Sequence, residues 1–373
     1  MIVHNKAGVK MSDIQHAYNY IENAREKSLA GTPNCIRIPM ERFSAFYPGL
    51  EPKSYHIMTA GTGVGKSKIT KHLYIVETMK FIREHPEMDV HIRWYALEES
   101  KTNFWHSMMV YLLDQTGRMR TSIRDLKSVY DTLSQDQLKV VQEVEPILQR
   151  WSERITVLDD VRHPYGIFVD VEKELMKYGS WKTKKVDSGN GVMIDIRDRF
   201  VYDNPNTWFI VVVDHFSLLH PEKGGSLREA IVKFSNEYCI QLRDKYECSV
   251  IGVQQQAQAG EDRQHDNRGR LVAAKLEPSI ANLADAKVTA RDADVVMGLF
   301  APSRYEIVNY RGYDINWMQD SFRSLQILKQ RDGESNVRAP LFFDGKVGVF
   351  EELPSSEAMN DSICQNYLNR ISK

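Results

Sequence analysis

One stretch limits the architecture of this chain more than any other: TAGTGVGKSKIT, residues Thr59–Thr70. Tyr55–Thr59 reads as a strand leading into it, and Gly65 to about Arg83 reads as the helix that follows. A strand, a glycine-rich loop and a helix in that order can cradle phosphate. The glycines let backbone amides turn inward, and a helix N-terminus favours an anion. The pattern for such a loop is G-x-x-x-x-G-K-[ST]. Ala60 stands at the first glycine position, where a small residue at a strand end suffices, and Gly65, Lys66 and Ser67 complete the match. The expected cradle is therefore Ala60, Gly61, Thr62, Gly63, Val64, Gly65, Lys66 and Ser67, with ATP and Mg²⁺ as its ligands. Lys66 is expected on the β- and γ-phosphates and the Ser67 hydroxyl on the metal. The plain alternative, an accidental glycine-rich turn, does not require the flanking strand and helix.

The metal needs an acidic partner. Asp214 ends the apolar run Phe209–Val213, and a carboxylate there lies at the C-terminal edge of a sheet, where α/β folds bind ligands. Asp159 also ends a strand, but a less apolar one. Hydrolysis further needs a group to position water. Glu98 and Glu99 follow the strand Asp89–Leu97 directly, and spacing alone does not separate them.

The rest of the chain supports an α/β reading. Arg154–Val161, Trp208–His215, Cys248–Gln256, Ala293–Phe300 and Ser324–Gln330 read as further strands, followed by a hairpin turning at Asp344-Gly345. Ser134–Trp151 reads as one long helix opened by a capping box of Ser134 and Gln137. Strands separated by helices build a mainly parallel twisted sheet flanked by helices. Ahead of it a short helix begins at Ser12 and stops at Gly31 and Pro33, with Ile14, Ala17, Tyr18 and Ile21 on one face. That face suits either a strut on its own domain or an arm docking on a neighbouring subunit. The expected division is a tail and helix over 1–35, an ATPase domain over 36–352 with an insertion near 179–207, and a C-terminal tail over 353–373.

Composition narrows the partners. With 49 basic and 50 acidic residues the net charge is −1, so any nucleic-acid contact has to come from a local patch. Cys35, Cys239, Cys248 and Cys364 form no CxxC pair, which argues against a zinc ribbon and for reduced thiols. No apolar run approaches the ~18 residues of a membrane span. The N-terminal MIVHNKAGVKMSDIQ lacks the apolar segment of a signal peptide. A cytoplasmic protein without membrane contact is expected.

Six segments, taken in order, resemble the ATPase domain of DnaB-type replicative helicases, within the RecA-like superfamily of P-loop NTPases. IPMERFSAFYPGLEPKSYHIMTAGTGVGKS resembles that family's lead-in, Gly-Leu turn, strand and P-loop. ALEES is similar to its Ser-Leu-Glu-Met segment, which implies Glu98 as the catalytic glutamate and Glu99 as a variable neighbour. VVVDHFSLL is similar to its metal-binding strand, and VIGVQQQAQ to the segment ending Ser-Gln-Leu, which implies Gln255 as the γ-phosphate sensor. ARDADVVMGLF resembles its Asp-Ala-Asp-x-Val strand, and LKQRDG its Lys-x-Arg-x-Gly segment, matched by Lys329, Arg331 and Gly333. The likeness covers about residues 36–350. It implies an ATP hydrolase that pulls single-stranded DNA through a hexameric ring of identical subunits and unwinds duplex DNA, with Lys329 and Arg331 reaching into the neighbour's site. A supplied arginine raises phosphoryl-transfer rates by ~10³–10⁵.

The same resemblance directs attention to two loops for DNA. One is HPEKGGSLR, with Lys223, Gly224, Gly225 and Arg228; the other is AGEDRQHDNRGR, with Arg263, Arg268 and Arg270 beside three acids. The chain departs from the family in two respects. Only the helix near 12–30 stands where the family has an N-terminal domain, a minimal form that suits a phage or mobile element in a bacterial cell and leaves a primase or helicase loader as open partners. WKTKKVDSGNGVMIDI also extends the stretch between Glu98 and Asp214, and reads as a hairpin turning at Asp187–Gly191. That hairpin is either plain surface or a contact for DNA or a replication partner. Two rival readings stay open: a RecA-like recombinase, and a nucleotide-switch ATPase that never moves on DNA.

Overall fold

The computed structural model describes residues 13–189, 191–257, 273–283 and 287–371. Nine strands form the main sheet. In chain order they are β1 (Tyr55–Ala60), β2 (Asp89–Ala96), β3 (Ile155–Leu158), β4 (Thr207–Asp214), β5 (Ser249–Gln255), β6 (Val295–Phe300), β7 (Phe322–Gln330), β8 (Arg338–Asp344) and β9 (Val349–Glu352). Across the sheet the order is β9-β8-β7-β6-β1-β5-β4-β2-β3. From β6 to β3 every pairing is parallel, while β7, β8 and β9 add an antiparallel edge.

The sequence of β4 shows why the sheet is covered on both faces. Ile210 and Val212 point into one core, with Trp94 and Phe104. Phe209, Val211 and Val213 point into the other, with Phe234 and Leu242. Such a continuous apolar run marks a strand buried on both faces, the usual state of a parallel sheet. A third cluster lies under the C-terminal residues. Helix Asp361–Ile371, where a tail was expected, buries Cys364 in a cluster with Phe342 and Tyr310.

Two expected helices are divided. The helix after the P-loop runs Lys66–Lys71, passes through a π-helical turn at His72–Val76, and continues as Glu77–Glu84. The helix expected over Ser134–Trp151 is two, Gln135–Glu143 and Glu145–Ser152, although the Ser134–Gln137 capping box forms. Pro146 explains the break: it has no N–H to donate to the preceding turn, and its ring crowds the carbonyl four residues back.

The N-terminal helix spans Asp13–Leu29, so the expected cap at Ser12 lies outside the described residues. Its apolar face is open: Ile14, Tyr18 and Ile21 are 70, 61 and 62% exposed. The strut expectation is therefore not met. The inserted segment is a two-stranded antiparallel hairpin, Gly179–Asp187 with Met193–Tyr202. Its turn forms where expected, with the Asp187 carboxylate accepting from the amides of Gly189 (2.9 Å) and Gly191 (3.0 Å). No helix among the described residues is long and apolar enough to cross a membrane.

Candidate nucleotide-binding site

The P-loop leaves the C-terminal end of β1 at Ala60, which is fully buried between Leu299 of β6 and Gln255 of β5. Gly63 and Gly65 have φ of +70° and +113°, a region that a side chain disfavours. A Cβ on Gly63 would also meet the Arg304 guanidinium at 2.8 Å. Gly65 caps the helix that begins at Lys66. The Lys66 side chain is buried, with its ammonium 3.4 Å from the Gly61 carbonyl oxygen. A buried ammonium at a helix N-terminus concentrates positive potential inside the loop.

Asp214 comes to this loop from the end of β4. It is 2% exposed and accepts a hydrogen bond from the Ser67 hydroxyl. Burial pushes its carboxyl up to about 6; Glu99 and Glu98 push the same way, and Ser67 and Lys71 oppose. Its Oδ1 is buried and has no hydrogen-bond partner among the described residues. A buried carboxylate oxygen with no donor, next to a serine hydroxyl, supplies oxygen ligands of the kind that a hard divalent cation takes. The peptide joining Asp214 to His215 is cis.

The two glutamates after β2 part company. Glu99 turns inward, 2.5 Å from the Lys71 ammonium, which also donates to the Ser107 hydroxyl at 2.9 Å. Glu98 is 59% exposed on its side chain and stands 3.7 Å from Nε2 of the buried His215. Glu98 is thus the carboxylate open to a bound ligand, and Glu99 is held by a lysine, a difference that spacing alone does not reveal.

Three consecutive glutamines tie the end of β5 to its surroundings, Gln255 to the P-loop, Gln256 to the end of β1 and Gln254 to helix Val288–Asp292. The Gln255 amide donates to the Thr62 hydroxyl, and Gln254 accepts from the Thr289 hydroxyl at 2.6 Å. The buried Gln256 donates to the Thr59 hydroxyl at 2.9 Å and accepts from the Ser279 amide at 3.2 Å. Two arginines, unremarked in the sequence, hold the P-loop from the far side. Arg304 donates to the carbonyls of Thr62 and, at 2.8 Å, Gly63. Arg323, only 1% exposed, donates through Nε to the Val64 carbonyl at 2.8 Å and lies 4.6 Å over the Phe343 ring.

Lys329 and Arg331 are not brought to this loop. Gln330 of β7 is level with Val295 of β6, and Val295 with His56 at the start of β1. Arg331 therefore sits about 16 Å along the strand direction from the level of Ala60, at ~3.3 Å per residue. Lys329 caps the end of helix Val288–Asp292, donating to the carbonyls of Ala290 (2.7 Å), Arg291 (3.0 Å) and Ala293 (2.6 Å). Arg331 is half-exposed and pairs with Asp294 at 2.7 Å, on the wall of a cleft of about 640 Å³. Asp294 also binds Arg243 at 3.0 Å and accepts from the Tyr55 amide at 2.9 Å.

Of the two DNA loops, the first is described. Lys223, Gly224, Gly225 and Arg228 are all exposed beyond β4, the first three ahead of helix Leu227–Lys233, which Ser226 and Glu229 cap, and Arg228 in its first turn. Arg263, Arg268 and Arg270 lie outside the described residues.

Comparison of the sequence with models of known families and with curated proteins found no match. Solved structures do match. The chain superposes on a structure described as an ATPase domain with a TM-score of 0.66 at 15% identity, over 92% of this chain and 100% of that one. It superposes on a DnaB-like replicative helicase, described with its interactions with primase, with a TM-score of 0.64 at 16% identity, over 92% of this chain and 68% of that one. The chain therefore shares the fold of these two solved structures.

Proposed function

We propose that this protein is an ATP-driven DNA helicase of the replicative type, a ring of identical subunits that pulls on single-stranded DNA and so unwinds duplex. The observation that carries the nucleotide half of this reading is the buried Asp214 oxygen, unpartnered among the described residues, beside Ser67 at the start of the P-loop helix. In this reading Ser67 and Asp214 hold Mg²⁺, and Lys66 neutralises the β- and γ-phosphates. A bound Mg²⁺ would supply charge neutralisation at the phosphate oxygens. Glu98 orients the attacking water and takes up its proton, and Gln255 senses the γ-phosphate through its contact with Thr62. Glu99 is a positioning residue, because its bond to Lys71 anchors the end of β2.

Arg331 is the natural candidate for a cation supplied in trans, since it lies far from its own P-loop and is half-exposed. Lys329 then acts by fixing the strand end that carries it. The open face of helix Asp13–Leu29 supports a ring, because Ile14, Tyr18 and Ile21 need a cover and a neighbouring copy provides one. Lys223 and Arg228, with Arg263, Arg268 and Arg270, are proposed to touch the DNA backbone, which suits sequence-indifferent gripping. A primase or loader partner is proposed by analogy alone.

ATP hydrolysis with and without single-stranded DNA, using Lys66→Ala as the blank, tests the proposal. Clear stimulation by DNA is expected. Turnover indifferent to DNA at low and moderate salt would favour the nucleotide-switch alternative, with which the net charge of −1 agrees.

A further inference from the structure

The hairpin Gly179–Asp187/Met193–Tyr202 projects from the domain with most of its length in solvent. Its strands of nine and ten residues make a ribbon about 30 Å long at ~3.3 Å per residue. Among the described residues the anchors lie at the base and as far as the middle of the ribbon. Trp181 and Phe200 pack on Tyr246, at 5.0 and 5.4 Å between ring centroids, and Arg197 pairs with Glu172 at 2.8 Å. A free two-stranded ribbon is marginal by itself, so the distal half needs another reason to be kept.

Two features of the ribbon are unfavourable in isolation. Lys182 and Arg199 face each other directly across the ladder, a like-charge pair that destabilises a hairpin. On the same face toward the tip stand Val186, Ile194 and Ile196, and Val192 and Met193 at the tip are 58 and 56% exposed. The acids nearby are largely committed: Asp187 to the turn, and Asp198 to Lys184 at 2.6 Å. Over 179–202 five basic residues (Lys182, Lys184, Lys185, Arg197, Arg199) oppose three acidic ones (Asp187, Asp195, Asp198), a net +2 in a chain of net −1.

We propose that this hairpin is a duplex-DNA-binding arm, its Lys182/Arg199 stem straddling the phosphate backbone and its Val192/Met193 tip entering a groove. Charge complementarity selects this occupant, since a phosphate between Lys182 and Arg199 turns their repulsion into attraction. Shape agrees: a two-stranded β-ribbon fits the major groove, and apolar side chains on DNA-binding elements insert at base steps. The arm goes beyond the single-strand grip proposed above and rests on that DNA reading only for its biological purpose.

The test is fluorescence anisotropy of a labelled blunt duplex across a salt series, on the full chain. Lys182→Glu/Arg199→Glu is expected to weaken duplex binding at least tenfold and to lower the salt slope by about 2, near 0.9 per phosphate contact. Val192→Ser/Met193→Ser is expected to weaken binding without changing the slope, because it removes apolar contact alone. Both variants leave the Trp181–Phe200 base intact and should melt like the parent, with DNA-stimulated hydrolysis unchanged. Duplex affinity and slope equal to the parent's in both variants, or no duplex binding by the parent at low salt, overturns the proposal. So does a change of oligomeric mass with duplex binding unaltered, which would make the face a protein contact. If hydrolysis ignores single-stranded DNA while duplex binding depends on the hairpin, the motor reading fails and the arm stands.

Discussion

Asp214 is costly to the ligand-free protein. Its carboxyl is raised by burial to about 6 from an ordinary value near 3.8. A raised carboxyl takes up protons more readily folded than unfolded, so stability is lost as pH rises through that window. At pH 7 the loss is complete and amounts to roughly 3 kcal/mol. Asp214→Asn removes the buried charge while keeping the shape. The ligand-free variant is expected to melt a few degrees above the parent at pH 7.5 and to lose Mg²⁺-dependent hydrolysis altogether. Calorimetry beside a phosphate-release assay checks both, and a variant that melts lower would mean that the negative charge stabilises the empty site. Asp214 is legible in the sequence because an acid at the end of an apolar strand is a local signal. Arg304 and Arg323 are not, since the P-loop carbonyls they hold lie 242 and 259 positions away in the chain. The Glu98–Glu99 choice needs Lys71, whose inward direction only the packing defines.

At the level of elements, the pattern finds the parallel strands to within one to three residues at each end, the widest miss being Arg154–Val161 against Ile155–Leu158, and it fails where a single residue overrides it. Pro146 divides a helix whose apolar spacing is continuous, and a π-helical turn interrupts the P-loop helix without any proline or glycine to announce it. That turn carries a second measurable consequence. His72 is buried against Phe350 and its pKa is lowered by burial to about 3; His56, between Tyr47 and Tyr74, is lowered to about 4. A histidine kept neutral in the fold gains its proton only on unfolding, so stability falls as pH drops below 6.5. Each should cost about 2 kcal/mol by pH 5. In His72→Phe the ring stays and the titration goes. Urea unfolding from pH 7 to 5 is expected to show a loss smaller by about that amount than the parent's. An unchanged pH dependence would mean that His72 takes up its proton in the folded protein over the same range as in the unfolded chain.

For the whole molecule, the decisive relation is between the two ends of the sheet. The P-loop, Asp214 and Glu98 gather at the C-terminal ends of the parallel strands, while Arg331 stands at the level where β1 begins. One chain cannot fold back to join them, because the sheet between is a packed, two-faced core. A second chain can, if its Arg331 edge meets the first chain's P-loop edge, and repeating that head-to-tail contact closes a ring or winds a filament. Arg331→Ala should therefore assemble and bind nucleotide yet hydrolyse ~10³-fold more slowly. Lys66→Ala should be inactive for the opposite reason, keeping Arg331 and losing the cradle. Mixed in equal amounts, the two dead variants restore complete sites wherever an Arg331→Ala cradle meets a Lys66→Ala edge, about a quarter of all sites under random assembly. Steady-state hydrolysis should then rise from near zero to a maximum near equal ratio and fall again on either side. A flat line at every ratio would show that Arg331 serves no neighbour, and its pairing with Asp294 would then be its whole role.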